Sequence, residues 1–205
     1  MTMQAESLLP VRHPARQTGN ARKSYMKLQF KFIKPGKLVD GDLQLVLVGK
    51  HPANPVKKYV PCYEFEMRKT GGSRKIGSVR LRIGRTRPLI GWCGHIGYGV
   101  DKKYRGHHYA ARSCLLLFPF AYAHGLRTLW ITCAPDNMPS RRTCEIAGGE
   151  YMGTIRVPKG TELYARGRRH VRRYKFNLKN IADTAGKFPA FTKKSNCACN
   201  ALCVY

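Results

Sequence analysis

Gly94-His95-Ile96-Gly97-Tyr98-Gly99-Val100-Asp101-Lys102-Lys103-Tyr104-Arg105-Gly106-His107-His108-Tyr109-Ala110 is the stretch whose reading decides the fold. It opens as an alternating strand loosened by glycine and turns through residues 101–104. A helical pattern then starts at about Gly106 and runs to His124. Along it Ala110, Cys114, Leu117, Phe118, Ala121 and Tyr122 recur at spacings of three and four, which places them on one face. A strand that feeds a tight loop into a helix makes a place for anions. The first N–H groups of the helix have no partner within it, and the macrodipole adds positive potential there.

Downstream, residues 129–133 read as a strand, and Asp136-Asn137-Met138-Pro139-Ser140 opens a second helix that ends at Gly148-Gly149. Upstream, residues 25–33 alternate between Met26, Leu28, Phe30, Phe32 and polar partners, which predicts a strand. Residues 43–48 predict another, with a partly helical reading of 38–48 as the alternative, and the proline-bearing segment 51–61 reads as a loop. Residues 63–68 and 76–83 alternate around Thr70-Gly71-Gly72-Ser73, a hairpin pattern, and 85–91 reads as a loop. Residues 151–157 and 170–178 predict the last strands, with the densest basic cluster, Ala165-Arg166-Gly167-Arg168-Arg169-His170, between them. Strands, a long helix, then strand, helix and strands predict an α/β domain, a mixed sheet covered by helices. The expected organisation is a flexible basic lead-in over 1–24, one domain over 25–180 and a poorly ordered tail over 181–205.

A chain of 205 residues has room for one real core plus tails. Lys and Arg outnumber Asp and Glu 38 to 11, a formal net charge of +27. That charge favours phosphates, nucleic acid or anionic surfaces as partners, although a solvated basic surface is the commoner explanation. No zinc-finger or RNA-binding signature accompanies it. Residues 1–23 lack the apolar run of a secretory signal, and the longest apolar run, 114–123, is too short for a bilayer and contains Pro119. The eight cysteines are scattered rather than framed for disulfides, so a reducing, cytoplasmic setting is expected, with no membrane partner. Cys197, Cys199 and Cys203 lack a fourth ligand, so free thiols are expected there and no metal.

Arg105-Gly106-His107-His108-Tyr109-Ala110 resembles the acetyl-CoA signature of the Gcn5-related N-acetyltransferase (GNAT) superfamily. That signature is Arg or Gln, two residues, Gly, one residue, then Gly or Ala. His108 stands where the second glycine is usual. Asn137, Ser140 and the Gly148-Gly149 pair resemble the family's next block, and the likeness runs in order over residues 63–178. Gly-His-Ile-Gly-Tyr before the loop is similar to a group of predicted acetyltransferases. The resemblance implies a GNAT-like α/β fold with a mixed, mostly antiparallel central sheet flanked by helices. It implies acetyl-CoA as cosubstrate, with Arg105, Gly106 and the amides of His107, His108, Tyr109 and Ala110 at the pyrophosphate. Main chain around Tyr98 and Val100 would hold the pantetheine arm, Asn137 would bond that arm, and Ser140 would approach it.

The activity so implied is direct acetyl transfer to a primary amine in a ternary complex, with a backbone N–H near Val100 polarising the thioester. The family's usual helix tyrosine falls at Cys144, whose thiol is a candidate acid, with a plain core role as the competing reading. Glu64 and Glu66 share one strand face and are candidate bases through water, or a solvated face. His95 has a base's pKa or is a structural imidazole beside the glycines. The acceptor is a small amine or an amine on an anionic carrier such as aminoacyl-tRNA, and a homodimer is compatible with the family. Two other classes stand beside this: a nucleic-acid-associated protein, and a catalytically degenerate GNAT-fold binding protein, suggested by His108 and the absent tyrosine.

Overall fold

The computed structural model describes residues 30–179. The lead-in 1–24, residues 25–29 of the first expected strand, and the tail with Cys197, Cys199 and Cys203 lie outside the described residues. The described end of that strand is irregular. Side chains tie it down instead of a ladder: the Ile33 amide donates to the Tyr63 hydroxyl at 2.8 Å, and that hydroxyl donates to the Ile33 carbonyl at 3.2 Å. Phe32 meets Tyr63 edge-on at 5.1 Å, and Phe30 stacks on His124 at 5.4 Å.

Five strands in sequence order make an antiparallel sheet: β1 (Val39–Asp40), β2 (Leu43–His51), β3 (Cys62–Lys69), β4 (Lys75–Arg82) and β5 (Ile96–Val100). A second sheet holds β6 (Thr128–Cys133), β7 (Glu150–Arg156) and β8 (His170–Asn177) in the order β6-β8-β7, also antiparallel. Helix α1 (Tyr109–Ala123) connects the sheets, α2 (Met138–Ile146) follows β6, and the short α3 (Glu162–Ala165) lies between β7 and β8. The expected single sheet is therefore two antiparallel ones. The partly helical alternative for 38–48 does not occur, because Leu43 and Leu45 alternate inward along β2.

Alternation sets the core. On β3, Tyr63, Phe65 and Met67 are fully buried while Glu64, Glu66 and Arg68 face the other side. The apolar row continues through Val79 and Leu81 of β4 and meets Cys114, Leu117, Phe118 and Ala121 of α1. Each large side chain so buried contributes about 1.5–3 kcal/mol. Overlapping the segment 85–91 read as loop, residues 89–93 form a π-helical turn after Pro88, with Leu89 buried. Helix α1 starts at Tyr109 rather than Gly106, since Gly106 (φ +90°) and His108 (φ +55°) hold left-handed backbone. Among the described residues no helix is long and apolar enough to cross a membrane.

Candidate functional site

The two sheets touch at one point and then part. The His95 amide donates to the Trp130 carbonyl at 2.6 Å, and the Trp130 amide donates to His95 Nδ1 at 3.1 Å. His95 Nε2 lies 3.0 Å from the Gly84 carbonyl, to which it donates when Nδ1 accepts. Both nitrogens of this buried ring are thus engaged with main chain, and burial holds its pKa below the ordinary value. His95 has no nitrogen left for a substrate proton; it is the strut that pins β5 to β6. Gly94 makes the approach sterically feasible: a Cβ there would lie 3.0 Å from the Thr132 amide nitrogen and 3.2 Å from the Trp130 carbonyl, and φ is +70°.

Beyond this strut a cleft of about 310 Å³ opens between the strands, lined by Gly97 and Tyr98 of β5, Thr132 and Cys133 of β6, and Asn137 and Ser140 of the α2 entry. β5 pairs on its other side with β4, in register Arg80↔Gly97 and Ser78↔Gly99. Arg82 donates to the His95 carbonyl and Asp101 to the Ile76 carbonyl, which fixes the odd-numbered residues 95–101 as those bonded to β4. Antiparallel alternation then turns the N–H and C=O groups of Ile96, Tyr98 and Val100 toward the cleft. The Val100 carbonyl takes a 3.2 Å bond from Arg105 Nε, so that guanidinium folds back on β5 instead of reaching over α1.

At the far end of β5 the loop delivers α1 uncapped. No side chain caps its N-terminus, no acid lies in its first turn, and the first intrahelical bond runs from Arg112 to the His108 carbonyl. The amides of Tyr109, Ala110 and Ala111 consequently have no protein acceptor among the described residues. Tyr109 offers only its main chain, because its buried side chain donates to Asp42 at 2.6 Å. Lys69, Tyr109 and Arg112 together hold the Asp42 carboxyl well below the usual range. His107 and His108 are exposed at the loop surface.

The α2 entry faces the same cleft. Asn137 is its N-cap, accepting from the Ser140 amide at 3.1 Å, with Pro139 in the first turn where a missing N–H costs nothing. The Tyr98 hydroxyl donates to the Ser140 carbonyl at 3.3 Å and lies 2.9 Å from Ser140 Oγ and 3.8 Å from Cys144 Sγ. Burial, above all, pushes the Tyr98 hydroxyl upward, so it stays a neutral phenol. Cys144 is fully buried behind it, and its hydrogen bond with Cys133, then burial, raises its thiol. The same bond lowers Cys133. This Tyr98–Ser140–Cys144 contact escaped sequence reading, since nothing in the spacing of 98 and 144 announces it.

Glu64 and Glu66 are not among the residues lining the cleft. Arg80 donates to Glu64 at 2.7 Å, with His51 at 3.1 Å, and Arg68 donates to Glu66 through two nitrogens at 3.0 and 2.7 Å. The Arg80 bond comes first in holding Glu64 below its usual pKa. Among the described residues no cluster of His, Cys, Asp and Glu could hold a metal ion.

Residues 49–150 of the 205 match the family model of the acetyltransferase (GNAT) domain. That stretch of the chain is a GNAT acetyltransferase domain. No curated protein matches the sequence. Among solved structures, this chain is similar to a ribosomal-protein-S5-alanine acetyltransferase from Vibrio fischeri, at 19% identity and TM-score 0.47, over 58% of this chain and 63% of that one. It is similar to a GNAT-family acetyltransferase from Bacillus anthracis, at 19% identity and TM-score 0.45, over 57% and 66%. The microcin C7 self-immunity acetyltransferase MccE, solved with acetyl-CoA and AMP, shows 15% identity and TM-score 0.43, over 57% and 61%. The aligned part spans less than two thirds of each of these chains.

Proposed function

We propose that this protein is an acetyl-CoA-dependent N-acetyltransferase in which an amine attacks the thioester directly, inside the cleft between β5 and β6. One observation carries the reading: cleft-facing main chain at Tyr98 and Val100 leads to a helix N-terminus whose amides lack acceptors among the described residues. Acetyl-CoA supplies the thioester, an arm with two amides, and a pyrophosphate. The free amides of Tyr109–Ala111, with those of Gly106–His108, suit the pyrophosphate. The main chain of Tyr98 and Val100 suits the arm, and the Val100 N–H suits the oxygen where negative charge develops. Asn137 spends its carbonyl on the cap and keeps its NH₂ for the arm.

The Tyr98 hydroxyl is the hydrogen-bond donor we assign to the departing thiolate, in place of the helix tyrosine; its single proton turns from the Ser140 carbonyl to the sulfur, while the Ser140 hydroxyl can donate to the phenol oxygen. Cys144 supports it from behind and touches no substrate. With Glu64 and Glu66 bound by arginines and His95 engaged by main chain, the amine loses its proton to water in the cleft. The five described cysteines are all free thiols, which suits a reducing, cytoplasmic setting.

His108→Asp tests the reading. It places a carboxylate beside the uncapped amides without a bulky side chain at a left-handed position that Asp tolerates. Folding stability should hold or rise, while acetyl-CoA affinity by calorimetry falls at least about tenfold. A folded variant that binds acetyl-CoA as the parent does would put the cosubstrate elsewhere.

A further inference from the structure

The outer half of the cleft has a different character from the cosubstrate half. It is lined by Trp92, Cys93, Leu163, Arg166, Arg168 and Val171, and among the described residues no carboxylate lines the cleft. Arg166 is already matched, 2.5 Å from Glu162. Arg168 is not: among the described residues its one carboxylate within reach is Asp136 at 4.0 Å, 91% exposed, a pairing worth little. Behind the cleft-lining Gly97, Arg82 of β4 lays its guanidinium over that residue, with Nη1 3.6 Å from where a Cβ would stand. Arg82 donates to the Gly94 carbonyl at a loose 3.4 Å and has no carboxylate within 4.0 Å among the described residues.

A chain this basic leaves many exposed cations unpaired, and those need no explanation. Arg82 differs because it is half-buried, beside the cleft-lining Gly97 and Cys93, where an unpaired charge is costly. A guanidinium kept there, with that of Arg168 on the lining of the same cleft, supplies the two cations of an anion clamp.

We infer that the acceptor is an amine bearing an anionic group, carboxylate or phosphate, held between Arg82 and Arg168 at the mouth of the cleft. This rests on the transferase reading. The amine then points inward to the main chain of β5, and Trp92 and Leu163 take the apolar body of the molecule. A neutral amine forfeits the clamp, and a polyamine is repelled by it.

The test uses pairs of amines that differ only in the anion: glycine against glycinamide, and phosphoethanolamine against ethanolamine. Thiol release from acetyl-CoA should show a KM about tenfold to a hundredfold lower for the anionic member. Arg82→Met and Arg168→Met should each remove that preference while leaving the neutral member's KM within about twofold. The carboxylate and phosphate pairs tell the two anions apart. Glycolate and glycol phosphate, which cannot react, are titrated by calorimetry with and without acetyl-CoA. Binding of either that is lost in both variants supports the clamp even if no amine in the panel turns over. Equal use of neutral and anionic amines, or no arginine-dependent binding of either unreactive anion, overturns it. Acetyl-CoA titrated alone reports separately on the transferase reading.

Discussion

His108 shows what a single residue can hide. The family pattern marks its position as glycine, and the sequence shows only that a histidine has replaced it. The structure adds the reason glycine is usual, because φ is +55° there, left-handed backbone that costs a side chain about 1–2 kcal/mol. Histidine is among the residues that tolerate that region, whereas a β-branched residue does not. His108→Gly should therefore keep or raise stability, and His108→Val should lower it by about 1–2 kcal/mol in denaturant melts. Equal midpoints for the two variants would show that the backbone is not held as described. Residue types alone also could not separate the two readings of His95. Only its two main-chain partners, Gly84 and Trp130, decide, and neither is near it in sequence.

At the scale of elements, period was a good guide wherever packing follows period. β3 and β4 alternate along their lengths and were legible, as was the three-four face of α1. The π-helical turn 89–93 was not, since Leu-Ile-Gly-Trp-Cys carries neither period and its shape comes from burying Leu89. Nor was the parting of the sheets, which depends on contacts between Gly94 and β6 more than thirty residues on. That contact permits a sharp expectation. Gly94→Ala would press a methyl group against Thr132 and Trp130 main chain at a strained φ. It should cost about 2 kcal/mol or more, with acetyl-CoA affinity falling further than in a surface variant of equal stability. An alanine variant as stable and as tight-binding as the parent would show that the strut tolerates slack. Motif order placed the loop ahead of α1 and the entry of α2; the Tyr98–Ser140–Cys144 contact needed the fold.

At the scale of the whole molecule, the balance of protons matters more than any single pair. His124 sits among Phe30, Tyr63 and Phe120, with a buried Nε2 that has no hydrogen-bond partner among the described residues, and burial lowers its pKa from 6.5 to about 4. Burial lowers His95 as well. Both folded values lie below the unfolded one, so as pH falls through about 6.5 the unfolded chain takes up protons first. Stability is full above that pH and is lost toward 4. The melting temperature should fall between pH 7 and 5, and His124→Phe should flatten part of the slope, leaving the share of His95. A variant with the parent's full slope would acquit His124. The open side of β5 carries a different consequence. A strand with one row of main-chain groups unmatched is what neighbouring molecules use to zip together edge to edge. Here that row is only five residues long, lies along a narrow cleft, and ends under the Arg105 guanidinium. On the proposed reading a pantetheine arm lies along that row, so the cosubstrate, rather than another strand, would cover the open edge of the sheet.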